Sequence, residues 1–326
     1  MHIRAAVPLA MLAGIALSLS ASSIQAESVE DYPSKPIRVI IPSSPGGSPD
    51  VLARLISEPL SKELGQPLVV ETMPGAAGII GTQRAAQAAP DGYTLLYGFN
   101  QIATMNPPLY KNLPYHPERD FVPLGLTLNL SYMWIANKDF PPNSIEELIE
   151  LNKKSPGSVD YASTGPGSAA HLGALLLEKM TGTEMTHIPY RSNTSSDLMA
   201  GVVKLKLDPV AASLGLVRNG NVKVLAVSAP ERLPVLPDVP TVAETVPGYE
   251  LTGWQGFWAP AGTPEPIVQK LNAAIRKVIH SDEMQKRIRD LGYEPLGSTP
   301  EEMADRIRRE MQQWQEIIEE AGISLD

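Results

Sequence analysis

Two segments of the 326-residue chain carry residue types that hold anions through the backbone. Ser43-Ser44-Pro45-Gly46-Gly47-Ser48 and Ser163-Thr164-Gly165-Pro166-Gly167-Ser168 each join the end of an apolar strand to the start of a helix. Glycine lets the main chain approach a ligand closely. The first N–H groups of a helix have no partner within it, so a carboxylate or phosphate oxygen accepts from them. The helix dipole adds about 0.3–2 kcal/mol at such a site. Hydroxyls at Ser43, Ser44, Ser163, Thr164 and Ser168 complete a donor set. A pair of these loops suits two anionic groups, or the two ends of one dicarboxylate. The alternative for either loop is an ordinary strand-to-helix turn. Neither continues into the Gly-Lys-Ser/Thr of a phosphate-binding loop, and Gly165-Pro166-Gly167 runs on to Ala170 where a dinucleotide fingerprint needs a third glycine. A third loop, Pro74-Gly75-Ala76-Ala77-Gly78, reads as close helix–sheet packing.

Catalytic constellations are missing. His116, His171, His187 and His280 are scattered, without metal-ligand spacing, and no Gly-x-Ser-x-Gly elbow anchors a serine nucleophile. The chain has no cysteine, which removes disulfides, thiol nucleophiles and iron–sulfur clusters. No cofactor is expected. The 36 acidic against 27 basic side chains give a formal charge of −9, which argues against a nucleic-acid partner. Three further residues stand near strand or helix ends. His171 lies one turn into the helix after Ser168 and either faces a ligand or packs. Tyr190, followed by Arg191, offers a hydroxyl beside a cation, with a surface arginine as the alternative. Asp208 ends an apolar strand, where an unpaired carboxylate is costly, so it meets either a donor in the protein or a cationic group on a ligand.

These residues need a scaffold that brings separate loops together, and the apolar pattern supplies one. Strands are expected at 37–41, 68–71 and 93–97, with a helix between each pair. The first helix should be capped by Ser48, with Pro49 at its first position, and should end early at Pro59. The alternation restarts after about residue 130, with strands at 132–136, 159–162, 187–190, 205–208 and 222–228. Thr263 is expected to cap a helix with Pro264 at its first position, and Thr299-Pro300-Glu301-Glu302 forms a capping box for the last helix. Strand–helix alternation of this kind builds α/β layers. Two α/β lobes follow, residues 27–128 and 129–248, with 249–326 returning to the first lobe and a ligand cleft between them. Ahead of them, Arg4, the apolar run Ala5 to Leu19 and the small residues up to Ala26 fit a secretory signal peptide, residues 1–26. That run is shorter than the ~20 residues of a membrane span. With Arg4 removed, 26 basic and 36 acidic residues remain, a charge of −10. A periplasmic protein is the expectation.

The series Tyr32-Pro33-Ser34-Lys35-Pro36-Ile37, Pro45-Gly46-Gly47 with Asp50, Pro74 to Gly78, Pro90-Asp91-Gly92-Tyr93-Thr94-Leu95, Gly165 to His171, His187-Ile188-Pro189-Tyr190 and Asp238-Val239-Pro240-Thr241 resembles the substrate-binding proteins of tripartite tricarboxylate transporters, the Bug receptors. The resemblance runs over essentially the whole chain after the signal segment. It implies a type II periplasmic binding protein fold, α/β, whose two lobes close on a carboxylate. Carried over, the ligand contacts are Ser43, Ser44, Gly46 and Gly47 in one lobe and Thr164, Gly165, Gly167 and Ser168 in the other. Asn100 and Gln101 add side-chain contacts, and Asp208 matches a position that meets the ligand amine in amino-acid-binding members. Ser43-Ser44 stand where the family has an apolar or aromatic residue with alanine, and Tyr190-Arg191-Ser192 replaces Tyr-Lys-Gly; both changes make the site more polar. The implied function is a monomeric, non-enzymatic receptor that delivers a di-, tri- or aromatic carboxylate to a membrane permease. The alternatives are a sensor presenting its ligand to a membrane histidine kinase, and an exported carboxylate-processing enzyme with His171 or Asp208 as base.

Overall fold

The computed structural model describes residues 30–190 and 194–325, so the expected signal segment, residues 1–26, and Arg191 lie outside the described residues. The chain opens with β1 (Ile37–Ile41), α1 (Ser48–Leu64), β2 (Leu68–Thr72), α2 (Ile79–Ala86) and β3 (Thr94–Phe99). β1 pairs in parallel with both β2 and β3, as crossover helices require. Ile37, Val39 and Ile41 point to one face of β1, where Leu52, Ile56 and Leu60 of α1 cover them. Each such side chain contributes roughly 1.5–3 kcal/mol when fully buried. A π-helical turn, Gln101–Met105, and the short α3 (Asn106–Leu109) lead away from β3.

β4 (Phe121–Ala136) is the element on which the molecule is built. The second half of the chain continues as α4 (Ile145–Lys154), β5 (Asp160–Ser163), α5 (Ala169–Thr181), β6 (Thr186–Pro189), α6 (Ser195–Met199), β7 (Leu205–Pro209), α7 (Val210–Arg218) and β8 (Lys223–Val227). It then returns through β9 (Thr252–Pro260), α8 (Glu265–Ile279), α9 (Asp282–Asp290), β10 (Glu294–Pro295) and α10 (Pro300–Glu320). From Phe121 to Ser131, β4 pairs antiparallel with β9; from Tyr132 to Ala136 it pairs with β7 and β8. One strand therefore belongs to both lobes, with the strand order β2-β1-β3-β9-β4-β7-β5-β6. The boundary expected at 128/129 falls inside it. Gly125, with φ +135, sits at a register shift and passes so close to Ser298 O that a Cβ would stand 2.6 Å from it.

α10 is the second connection. Its Met303 and Ile307 pack in the first lobe, and its Trp314, Ile317 and Ile318 pack in the second. Between them Glu310 is half-buried, accepting from Trp254 Nε1 at 2.8 Å and paired with Arg306 at 2.7 Å.

Three expectations about helix ends are corrected. Gly47, not Ser48, is the N-cap of α1, because the Ser48 hydroxyl is engaged by Gln255 and Tyr293. Pro59 does not end α1, which runs on to Leu64 and stops at Gly65 with φ +72; the buried stripe Leu52, Ile56 and Leu60 outweighs the proline's lost hydrogen bond. Thr263 does not cap α8: its Oγ1 donates to Pro260 O at 2.7 Å, and the helix starts at Glu265 behind Pro264.

Candidate functional site

The two glycine loops are built on one plan. In the first, Gly47 N–H donates to Ser44 O at 3.2 Å; in the second, Ser168 N–H donates to Gly165 O at 3.2 Å. Each turn has proline at its second position and a left-handed glycine at its third, Gly46 with φ +76 and Gly167 with φ +73. That is the type II pattern, in which the third position favours glycine. Gly47 and Ser168 are then the N-caps of α1 and α5. The third residue of each helix turns back on its own loop. Asp50 Oδ2 accepts the Gly46 N–H at 2.8 Å, and His171 Nδ1 accepts the Gly167 N–H at 3.0 Å. All four glycine amides in the expected ligand set, those of Gly46, Gly47, Gly165 and Gly167, are thus bonded to the protein. The donors that each helix end still offers are its first-turn amides, Ser48 and Asp50 in α1 and Ala169 and Ala170 in α5.

Around the second loop the hydroxyls serve the loop itself. Ser168 Oγ donates to Gly165 O at 2.7 Å and accepts from His171 N–H at 3.4 Å. Buried Ser163 accepts from Gly165 N–H at 3.0 Å and lies 2.6 Å from His187 Nε2. Thr164 is exposed. The His171 and His187 rings stack at 4.0 Å, and Tyr161 stacks on His187 at 5.1 Å. Burial, and then the neighbouring His187, hold the His171 pKa down to about 4, and burial lowers that of His187. His171 is therefore neutral near pH 7. Because its Nδ1 accepts, its proton is on Nε2.

In the first lobe Ser44 is exposed and Ser43 half-buried. Asp50 Oδ1 pairs with Arg54 Nε at 2.7 Å. Ser48 Oγ accepts from Gln255 Nε2 at 3.1 Å and from Tyr293 OH at 2.8 Å. Gln255 is 1% exposed, and its Oε1 has no partner. Asn100, 5% exposed, has an unpartnered Nδ2. Gln101 reaches across to the second loop, Nε2 lying 3.4 Å from Gly167 O, and bonds Asn106 Oδ1 at 2.9 Å. Gln255 and Tyr293 escaped the sequence reading. A glutamine buried between Trp254 and Phe257 signals an unmet polar need, whereas nothing near Tyr293 in sequence points to Ser48.

Asp208 is met from within. Lys206 Nζ pairs with it at 2.9 Å, both side chains being about one-tenth exposed (9% and 10%), and Ser213 Oγ donates to its other oxygen. Of the two outcomes open to Asp208, a donor in the protein is the one found. Tyr190 is half-buried beside Asp197; burial and that carboxylate raise its pKa. The third loop packs as read: a Cβ on Gly78 would stand 2.8 Å from Ile102 and 3.2 Å from Pro42 O, which wedges the loop against the residues that follow β1 and β3. A cavity of about 290 Å3 lies between the lobes, lined by Ser131, Leu233, Val235, Arg289, Tyr293 and Pro295 among others. None of the expected ligand residues lines it, though Tyr293 connects it to Ser48. Among the described residues, no cluster of three His, Asp or Glu side chains is placed to hold a metal, and no helix is long and apolar enough to cross a membrane.

Comparison with known proteins adds to this geometry. Residues 52–323 match the model of the tripartite tricarboxylate transporter family receptor. BugT of Bordetella pertussis is 34% identical over 320 residues, covering 97% of this chain and 98% of that protein. The structure of Rpa4515 from R. palustris with adipate is 34% identical, with a TM-score of 0.78 over 90% of this chain and 100% of that one. MatC from Rhodopseudomonas palustris with bound malate is also 34% identical, with a TM-score of 0.74 over 88% of this chain and 100% of that one.

Proposed function

The chain belongs to the tripartite tricarboxylate transporter receptor family, whose members are binding proteins rather than enzymes, and on that basis we propose that it captures a small dicarboxylate without an amino group in the periplasm and delivers it to a membrane permease. One observation carries the reading. Two helix ends, one in each lobe, are prepared by the same type II turn and the same back-bonded glycine. Each suits one carboxylate, so a dicarboxylate engages both lobes and favours the closed arrangement over the open one. Relatives bound to adipate and malate support the class.

The absence of an amino group follows from Asp208. With Lys206 and Ser213 on its two oxygens, it has no charge left to offer an ammonium. In this reading residues 1–26 direct export, the receptor works as a monomer, and the lobes move by bending where β4 and β9 cross. Calorimetry with the straight-chain series from succinate to adipate, with malate, citrate and benzoate, and with aspartate and glutamate tests it. Dicarboxylates should bind and the amino acids should bind at least about tenfold more weakly, a difference of 1.4 kcal/mol. No carboxylate binding by folded protein would overturn the class; tighter binding of aspartate than of succinate would overturn the missing amine.

A further inference from the structure

We propose that Asp50 and His171 are matched positioning residues: each accepts the amide hydrogen of the left-handed glycine four residues before it and so fixes the helix end whose remaining amides meet the ligand. In both loops the order is proline, left-handed glycine, N-cap, two helical residues, then the acceptor, and both bonds are formed, at 2.8 and 3.0 Å. Glycine loses more backbone freedom on ordering than any other residue, so each bond that holds it at positive φ counts. Were the amide unbonded, it would point a competing donor at the ligand or stand unsatisfied in the closed cleft.

The two acceptors differ in charge, and the surroundings of each compensate. Asp50 places a carboxylate at a helix end meant for an anion, and Arg54 on its other oxygen offsets that charge. His171 accepts as a neutral ring and brings no negative charge to the second helix end. The group facing it is His187 of β6, with Tyr161 of β5 stacked on His187, while Leu109 and Leu325 close on Gly167 from α3 and the chain's end. His187 in turn lies against Ser163 Oγ, which accepts the Gly165 amide, so the stacked pair grips the loop at two points. A ligand beside the second loop is indicated independently by Asn100, 5% exposed with an unpartnered Nδ2 donor, which is followed in the chain by Gln101 with its Nε2 3.4 Å from Gly167 O.

Part of the test needs no ligand. Nitrogen-15 NMR of the ligand-free protein at neutral pH should show His171 protonated on Nε2 and bare on Nδ1, and acidification should move the Gly167 amide signal together with the His171 ring. His171→Asn puts a carboxamide oxygen near the place of Nδ1 and should leave the Gly167 signal and succinate binding close to wild type. His171→Leu should displace that signal and weaken succinate binding about tenfold, the scale of one hydrogen bond, with melting temperature little changed. Asp50→Asn and Asp50→Leu should repeat the contrast at Gly46. An Nδ1-protonated His171 in the wild type overturns the assignment even if every variant fails to fold, and so does a leucine variant with an unmoved Gly167 amide. The ligand arm rests on the receptor reading. Failure of succinate to bind the wild type counts against that reading, while the ring and amide signals still decide the positioning.

Discussion

Lys206 and Asp208 stand two residues apart on β7, so their side chains share one face of the sheet, and that face is apolar, with Met133, Ile135 and Val210 nearby. Removing one partner strands a buried charge. Lys206→Met is expected to cost about 3–5 kcal/mol, and adding Asp208→Leu should recover most of it, as urea denaturation of the two variants will measure. His171 gives a second prediction. Burial holds its pKa near 4 against an ordinary 6.5, so the unfolded chain binds the proton first as the pH falls. Its contribution is intact above pH 6.5 and is lost progressively between 6.5 and 4. Urea midpoints across that window should fall in the wild type and fall less in His171→Asn. At this scale the donors were legible and their employment was not. Gly46 and Gly167 announce themselves by type, but that Asp50 and His171 consume their amides depends on side-chain direction in the first helical turn, which spacing alone leaves open.

The two turns differ in how tightly they are surrounded. A Cβ added to Gly46 meets nothing within 4 Å, whereas one added to Gly167 stands 2.8 Å from Leu109 Cδ1. Gly46→Ala should therefore cost only the left-handed backbone penalty of about 1–2 kcal/mol. Gly167→Ala should cost more, and thermal melts of the pair will separate strain from crowding. At the last helix, Thr299 and Glu302 form both bonds of a capping box, so Thr299→Ala should cost about 1 kcal/mol by the same measurement. Short strands and capped helices were readable because each has a local cause. β4 was readable only from Tyr132 to Ala136, since Pro123 and Gly125 look like breaks; the ladder with β9 absorbs them as register shifts. β9 itself, Thr252–Pro260, lies hidden in glycine and tryptophan, and only its pairing with β3 and β4 makes it a strand.

Across the whole molecule, α10 ties the two cores together. At 21 residues and 1.5 Å each it spans about 32 Å, long enough to root one end in each lobe. Trp314 is buried in the second lobe's core, and Trp314→Ala should cost about 3–5 kcal/mol. Because the same helix carries Met303 and Ile307 into the first lobe, hydrogen exchange in this variant should quicken in both lobes, not one. Such a helix also bears on how the protein is made. The second lobe's interior is incomplete until the turns bearing Trp314, Ile317 and Ile318 have been synthesised, and the first lobe's until Met303 and Ile307 of the same helix have been. A nascent chain lacking α10 has two unfinished interiors and no lobe able to set early. The helix thus works as a built-in delay, keeping both interiors open until it has been made.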